Sequence, residues 1–317
     1  MGSKLIETRN LVKYFDTAKG KLHAVDHVTL SIEKGSTLGV VGESGCGKTT
    51  LGRTILGLLP ATGGEILLDG NDITRYNGRQ LKALRKEIQI VFQDPYSSIN
   101  PRHAIRKIIG EPMLVNGIIR NKKEREERVL ELMNTVGLSE KLAGSYPHEL
   151  DGGRRQRIGI ARALSVNPRF VVCDEPVSAL DVSIQAQILN LLMDLQEKMN
   201  LTYMFITHDL SVVRHISTEI AVMYLGQCIE RAPSRELFKN PLHPYTQALI
   251  SAIPVASAKA RQVKPQIIKS ELASPINPKP GCRFASRCPH AADKCFLRDQ
   301  PLRDMGGSHF VACVLYR

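Results

Sequence analysis

The sequence predicts an α/β fold built on a parallel sheet, interrupted by a helical insertion and followed by a small cysteine-bearing region. Three observations carry this expectation. Short apolar runs alternate with glycine loops and helix-like stretches through about residue 92. Polar helical periodicity replaces them from about 93 to 163. Apolar runs then return at "RFVVCDEP" and "LTYMFITHD", separated by the amphipathic stretch "VSIQAQILNLLMDLQEKMN". Strand, long crossover helix, strand is the arrangement that makes neighbouring strands parallel, so the insertion interrupts one domain.

In chain order, "LIETRNLVKYF", "HAVDHVTLSIEKG" and "STLGVV" read as strands. A helix is expected after Gly47, and "GGEILLDG" and "EIQIVFQD" read as strands again. In "NKKEREERVLELMNTVGL" charges cover one face, while Val129, Leu130, Leu132, Met133 and Val136 recur at helical spacing. After about residue 235 come "NPLHPYTQALISAIP", the basic, proline-containing connector "AKARQVKPQIIKSELASPINPKPG" and a cysteine-bearing end. The expected division is residues 1–235, with the helical subdomain at about 93–163, and an extension over 236–317.

At 317 residues and 43% hydrophobic content the chain can bury one large core plus a smaller appendage. The 43 Lys and Arg against 31 Asp and Glu, a formal charge of +12, favour an anionic partner: nucleotide, nucleic acid or an anionic membrane face. The apolar runs fall short of the roughly 18 to 20 residues a spanning helix needs, and no charged-then-apolar leader opens the chain. A soluble, cytoplasmic protein is expected. Seven cysteines, unevenly spread, do not make a secreted disulfide scaffold.

The stretch "GESGCGKTT" runs Gly42, Glu43, Ser44, Gly45, Cys46, Gly47, Lys48, Thr49, Thr50 and fits G-x-x-x-x-G-K-[ST] between an apolar strand and a helix. Glycines there let backbone N–H groups turn inward around phosphate oxygens; Lys48 reaches the β and γ phosphates and the Thr49 hydroxyl faces Mg²⁺. "FVVCDEP" adds Asp174, placed to hold Mg²⁺ through its water shell, and Glu175, placed to orient and polarise an attacking water. Without the phosphate loop these two would read as surface carboxylates ending a strand. "FITHD" ends the next strand with His208, a donor suited to a γ-phosphate at the carboxyl edge of the sheet.

Taken together, "GESGCGKTT", "VFQDP", "LDGGRRQR", "FVVCDEPVSALD" and "FITHD" resemble the nucleotide-binding subunit of ABC transporters, over residues 1 to about 235. The resemblance implies a P-loop NTPase (RecA-like) core with an antiparallel β subdomain and an inserted helical subdomain. It implies ATP and Mg²⁺ as ligands, and a head-to-tail dimer in which each ATP lies between the phosphate loop of one subunit and the signature loop of the other. By position, Gln93 would touch the Mg²⁺ or water and link the site to transmembrane subunits, and Asp181 would be a dimer contact. Phe15 or Tyr14 would stack on adenine, although both read equally well as core residues of an edge strand.

"QDPYSSINPR" and "HPYTQALISAIP" look like the branch that serves oligopeptide, dipeptide and nickel importers. The expectation is therefore an ATPase subunit, peripheral on the cytoplasmic face of the cell membrane, driving import of peptides, or of nickel or another small solute. Its partners would be a second, non-identical ATPase subunit, two transmembrane permease subunits and, indirectly, an extracytoplasmic solute-binding protein. An ATPase acting on nucleic acid or ribosomes is permitted by the charge, but the chain holds no second cassette and no aromatic-interleaved basic tract, so nucleic acid is not an expected partner.

The end of the chain reads Cys282-x5-Cys288-x6-Cys295-x17-Cys313. Zinc sites usually show a short C-x2-4-C knuckle, which is missing here, whereas ligation of an iron–sulfur cluster by four thiolates needs none. The resemblance implies a [4Fe–4S] cluster in this extension; Zn²⁺ and free thiols stay open as alternatives.

One position departs from the family. In its usual signature, "LSGGQ", a serine hydroxyl and glycine N–H groups meet the γ-phosphate held by the opposite subunit. Here Asp151 stands for the serine, ahead of Gly152 and Gly153, and Arg154 for the glutamine. A carboxylate near a phosphate is repelled by about 4 kcal/mol per unit-charge pair at 4 Å with an effective dielectric near 20. Either Arg154 or Arg155 pairs with Asp151 and neutralises it, or the dimer's two ATP sites are unequal.

Overall fold

The computed structural model describes residues 3–253 and 274–316; most of the expected connector, and Pro254 of "HPYTQALISAIP", lie outside the described residues. The chain opens with strands β1 (Lys4–Thr17), β2 (Gly20–Glu33) and β3 (Thr37–Val41), then helix α1 (Lys48–Ile55), β4 (Gly63–Leu68), β5 (Asn71–Asp72), α2 (Gly78–Glu87) and β6 (Ile88–Val91). A helical stretch follows: α3 (Pro95–Ser98), α4 (Ile105–Val115), α5 (Lys122–Thr135) and α6 (Gly152–Leu164). Then come β7 (Phe170–Asp174), α7 (Val182–Met199), β8 (Thr202–Ile206), α8 (Leu210–Ile216), β9 (Glu219–Tyr224), β10 (Gln227–Pro233), α9 (Ser234–Lys239), α10 (Pro244–Ser251), β11 (Arg303–Asp304) and β12 (Phe310–Val311).

The chain divides into two compact units. The first is residues 1–5, 33–36 and 75–204. Here β6 pairs in parallel with β7, in the register Ile88 to Phe170 through Val91 to Cys173. Apart from Gln89 and the terminal Asp174 both strands are apolar, and all of β7 is buried, as a parallel strand covered on both faces should be. Helix α5 begins where the Asn121 side chain accepts the N–H groups of Lys123 and Glu124. It buries Val129, Leu132 and Met133, with Val136 closing the turn; Leu130, expected on the same face, is only half-buried. Helix α2 is not among the expected elements, although Leu81 and Leu84, three residues apart, give its otherwise charged sequence an apolar face; of its ten residues only Leu84 is buried.

The second unit is residues 6–32, 37–74 and 205–317. One sheet in it runs in the order β2-β1-β4-β5, with β1 and β4 antiparallel, matching the antiparallel β subdomain that the resemblance implies. The other places β3 parallel to β9, with the antiparallel hairpin partner β10 and then β12 and β11 beyond it. The end of the chain thus joins the sheet through Phe310–Val311 against Arg231 and Glu230.

Glu230 anchors that junction. It has no exposed surface, and its carboxylate accepts the N–H groups of Leu242 (2.7 Å) and His243 (2.9 Å) and meets His309 Nε2 (2.7 Å). A buried carboxylate is tolerated only when donors replace its lost water, and these do.

Candidate functional site

The second unit holds the phosphate loop, between the end of β3 and the start of α1. Its glycines are there for space as well as freedom. Gly42 has φ 151°, and a Cβ on it would lie 2.2 Å from the Met223 carbonyl oxygen; Gly47 has φ 103°, and its Cβ would lie 2.0 Å from that of Ala24. No side chain fits at either position. Lys48, the first residue of α1, is buried, and its ammonium donates to the carbonyl oxygens of Gly42 (2.8 Å) and Glu43 (2.9 Å). Cys46 sits beneath the ammonium; burial pushes its thiol up, outweighing the Lys48 charge, so it packs as a neutral thiol. Ser44 and Gly45 are exposed, and Thr49 and Thr50 half-buried in the first turn of α1.

Glu43 is held from the C-terminal part of the chain. Its N–H donates to the Tyr245 hydroxyl (2.9 Å), and its carboxylate accepts from Arg287 (2.9 Å). Neither contact was foreseen, since Tyr245 and Arg287 lie 202 and 244 residues away. The motif "HPYTQALISAIP" marked the first of them without saying what it touched.

Of the two aromatics expected near adenine, Tyr14 stacks on His23 with ring centroids 3.8 Å apart, and its hydroxyl donates to Asp26. Phe15 lies under the Lys13 ammonium, 4.7 Å from its ring centroid. Asp26 is buried and also meets His23 Nδ1 (3.1 Å), His27 Nδ1 (2.8 Å) and the Arg283 guanidinium. Burial alone would raise its carboxyl; the bonds from Tyr14 and His23 and the Arg283 charge bring it down to about 2. His208 is exposed on the turn between β8 and α8, followed by Asp209, which caps α8 by accepting the Ser211 N–H at 2.7 Å.

In the first unit, Asp174 is the buried last residue of β7, and Glu175 leaves the strand at φ 47°. The β6–β7 register aligns Val91 with Cys173, so Gln93 and Glu175 stand two residues past the same rung. The Gln93 amide accordingly donates to Glu175 Oε2 at 3.1 Å.

Asp151 is the N-cap of α6: Oδ1 accepts the Arg154 N–H at 2.8 Å, while Oδ2 lies 3.4 Å from Arg154 Nε. Of the two arginines expected to pair with it, Arg154 does so; Arg155 instead donates to the Pro147 carbonyl (2.8 Å) and stacks over Tyr96. Gly152 and Gly153 lie against the start of α7. A Cβ on Gly152 would come within 3.1 Å of Leu180, and one on Gly153 within 2.7 Å of Ile184. Asp181 is exposed at the N-cap position of α7.

The four C-terminal cysteines line one enclosed cavity of about 10 Å³, together with His243 and His290. All are free thiols. Each sulfur accepts a backbone N–H: Cys282 from Phe284, Cys288 from His290, Cys313 from Leu315, and Cys295 from Ala292 at 3.5 Å. His243 Nδ1 accepts the Tyr245 N–H, which leaves Nε2 as the proton-bearing nitrogen; it is buried without a hydrogen-bond partner, and burial lowers the imidazole to about 4. No three His, Cys, Asp or Glu side chains among the described residues are placed to hold a single metal ion.

Comparison with known proteins supplies the family. Residues 25–178 match the ABC transporter family, and residues 229–295 match the oligopeptide/dipeptide transporter, C-terminal region. The chain is 51% identical over 321 residues to the oligopeptide transport ATP-binding protein AppF of Bacillus subtilis (strain 168), covering 98% of this chain and 97% of that one. It is 46% identical over 315 residues to the dipeptide transport ATP-binding protein DppF of Escherichia coli (strain K12), covering 98% and 93%. Among solved structures it is similar to the dimeric, post-hydrolysis state of the ATP-binding cassette MJ0796 bound to ADP and Pi, with a TM-score of 0.67, 29% identity and coverage of 73% of this chain and 99% of that one. With a phosphate loop of this geometry and relatives this similar along nearly their whole length, the chain belongs to the ATP-binding subunits of ABC transporters, in the oligopeptide/dipeptide transporter branch.

Proposed function

We propose that this chain hydrolyses ATP to drive a membrane importer for dipeptides or oligopeptides. The observation that carries the ATPase reading is the pair Gln93–Glu175, assembled by the β6–β7 register just beyond the buried Asp174. Relatives named for oligopeptide and dipeptide transport favour peptide over nickel as cargo. Residues 1–235 serve as the nucleotide-binding domain, with the helical subdomain at about 93–163, and 236–317 as its extension.

In this reading the N–H groups of residues 43–50 and the Lys48 ammonium bind the phosphates. Thr49, Gln93 and, through water, Asp174 would hold Mg²⁺, which would supply positive charge to the transferred phosphoryl group. Glu175 orients the attacking water and takes its proton, with Gln93 fixing the carboxylate. His208 donates to the γ-phosphate, and Tyr14 or Phe15 stacks on adenine. Asp151, Gly152 and Gly153 act in trans on the ATP of a second, non-identical ATPase subunit, and Asp181 contacts that subunit.

Among the described residues no helix is long and apolar enough to cross a membrane, so two permease subunits supply the path and this chain works peripherally on the cytoplasmic face. A solute-binding protein on the far side delivers the cargo.

The four thiols fit a thiolate-held metal centre. They face one cavity bordered by an orphaned imidazole N–H, and each sulfur takes a backbone N–H. Burial outweighs those bonds and pushes the Cys282, Cys288 and Cys313 thiols up, to about 11 for Cys282, so that a metal's charge would be needed to hold them as thiolates. The proposed occupant is a [4Fe–4S] cluster held by Cys282, Cys288, Cys295 and Cys313, whose ligation needs no short knuckle; Zn²⁺ is the weaker alternative, since no three of the described side chains are placed for a single ion. The centre's role is a structural staple for a loop-rich module.

The test is reconstitution of the chain with its permease and partner in liposomes, reading ATP hydrolysis and uptake of labelled peptide together. E175Q should stop both while Mg–ATP still binds. Uptake that persists in E175Q overturns the assignment of Glu175, and hydrolysis without peptide uptake overturns the cargo. Iron, sulfide and zinc analysis of the anaerobically purified chain decides the centre.

A further inference from the structure

The cysteine module and the phosphate loop meet at Glu43. Four groups hold this residue: the Cys46 N–H (3.3 Å) and Lys48 (2.9 Å) on its carbonyl, the Tyr245 hydroxyl on its N–H (2.9 Å) and Arg287 on its carboxylate (2.9 Å). The Glu43–Arg287 pair is largely buried, with side chains 22% and 8% exposed, so it is shielded from the water and salt that weaken surface pairs. The same Arg287 nitrogen also donates to the Tyr224 hydroxyl at 3.1 Å. Behind it Tyr224, Tyr245 and Phe284 pack edge to face, with centroids 4.7 to 5.4 Å apart.

Each end of this assembly is fastened to the thiol cavity by sequence. Arg287 directly precedes Cys288, in the short turn Ala285–Arg287. His243, two residues before Tyr245, lines the cavity itself, and Phe284 gives its N–H to the Cys282 sulfur. Directly after Cys282, Arg283 bonds the Leu225 carbonyl and the Asp26 carboxylate, and through Asp26 reaches Tyr14. Adjacent Cα atoms are 3.8 Å apart, so a shift of either thiol carries its neighbouring arginine with it.

We infer that Arg287 and Tyr245 are positioning residues for the phosphate loop, fixing Glu43 from the cysteine module, so that nucleotide affinity depends on how the four thiols are held. This rests on the reading of the loop as an ATP site.

The test is Mg–ATP binding to the full chain by equilibrium titration, with KM and kcat measured in the reconstituted complex. R287Q should raise Kd and KM about tenfold and leave kcat within about twofold, the pattern of lost binding without lost chemistry. R287K should recover part of the loss, and Y245F, which keeps the ring, should shift Kd in the same direction. The double variant R287Q/E43Q should bind no more weakly than the weaker single, because both changes break one contact. C288S should also raise Kd.

Unchanged Kd in R287Q, or losses that add in the double variant, overturn the positioning role. Unchanged Kd in C288S overturns the link to the thiols, and R287Q keeps every cysteine should C288S not fold. A wild-type chain that does not bind Mg–ATP overturns the ATP reading and this inference with it; one that binds equally with and without Arg287 overturns only the inference.

Discussion

Asp151 accepts the backbone N–H of Arg154 at 2.8 Å and faces its guanidinium at 3.4 Å. The carboxylate that looks out of place in a phosphate-facing signature therefore caps the helix that follows. Asp and Ser cap a helix about equally well, whereas Ala costs about 1 kcal/mol. D151S should leave the thermal midpoint nearly unchanged and D151A should lower it. In the reconstituted complex, D151S should also raise ATP turnover at the partner's site, because the carboxylate no longer confronts that phosphate. Unchanged turnover would mean that Arg154 neutralises Asp151 sufficiently where it stands.

Gly153 lies too close to Ile184 for any side chain: a Cβ would sit 2.7 Å from the isoleucine methyl. G153A should destabilise the protein by about 1 to 3 kcal/mol through overpacking, and adding I184A should recover part of it. Urea unfolding of the two single variants and the double checks this. Failure of I184A to compensate would place the strain elsewhere.

Glu230 joins β10, the segment before α10 and the chain's end by accepting three donors in a fully buried site. E230Q turns an amide N–H₂ toward groups that are themselves donors. It should cost about 3 kcal/mol, read from chemical denaturation.

Asp26 has a carboxyl brought down to about 2 from an ordinary 3.8. A depressed native value means that the stabilisation is complete above about pH 4 and is lost as the pH falls toward 2. The shift corresponds to about 2 kcal/mol. Between pH 4 and 2 the wild type should therefore lose more stability than D26N, measured as the difference between their denaturation midpoints. Parallel curves would show that the Tyr14–Asp26–Arg283 cluster does not depend on the charge.

Local spacing encodes whatever could be read from the chain alone. Gly42, Gly47 and Lys48 announce a phosphate loop because a tight turn, a close backbone approach and a helix start all lie within nine residues of chain. Asp174 and Glu175 are legible for the same reason, at the end of an apolar run. Helix α2 is harder to read, because its apolar face rests on Leu81 and Leu84 alone among charged residues, a periodic signal only two residues long. The partnerships of the site are not legible. Gln93 meets Glu175 only because β6 and β7 pair in one register, and a slip of one strand by one residue would turn its side chain to the face opposite its partner's.

The folded arrangement makes Asp151 a cap bound to Arg154 and not to Arg155, since both arginines stand within one turn and geometry alone separates them. It also makes Glu43 answer to Arg287 and Tyr245, across 244 and 202 residues of chain. Contacts at that separation leave no periodic trace in a single sequence, because they depend on where the folded sheet delivers each segment and not on the residues beside it.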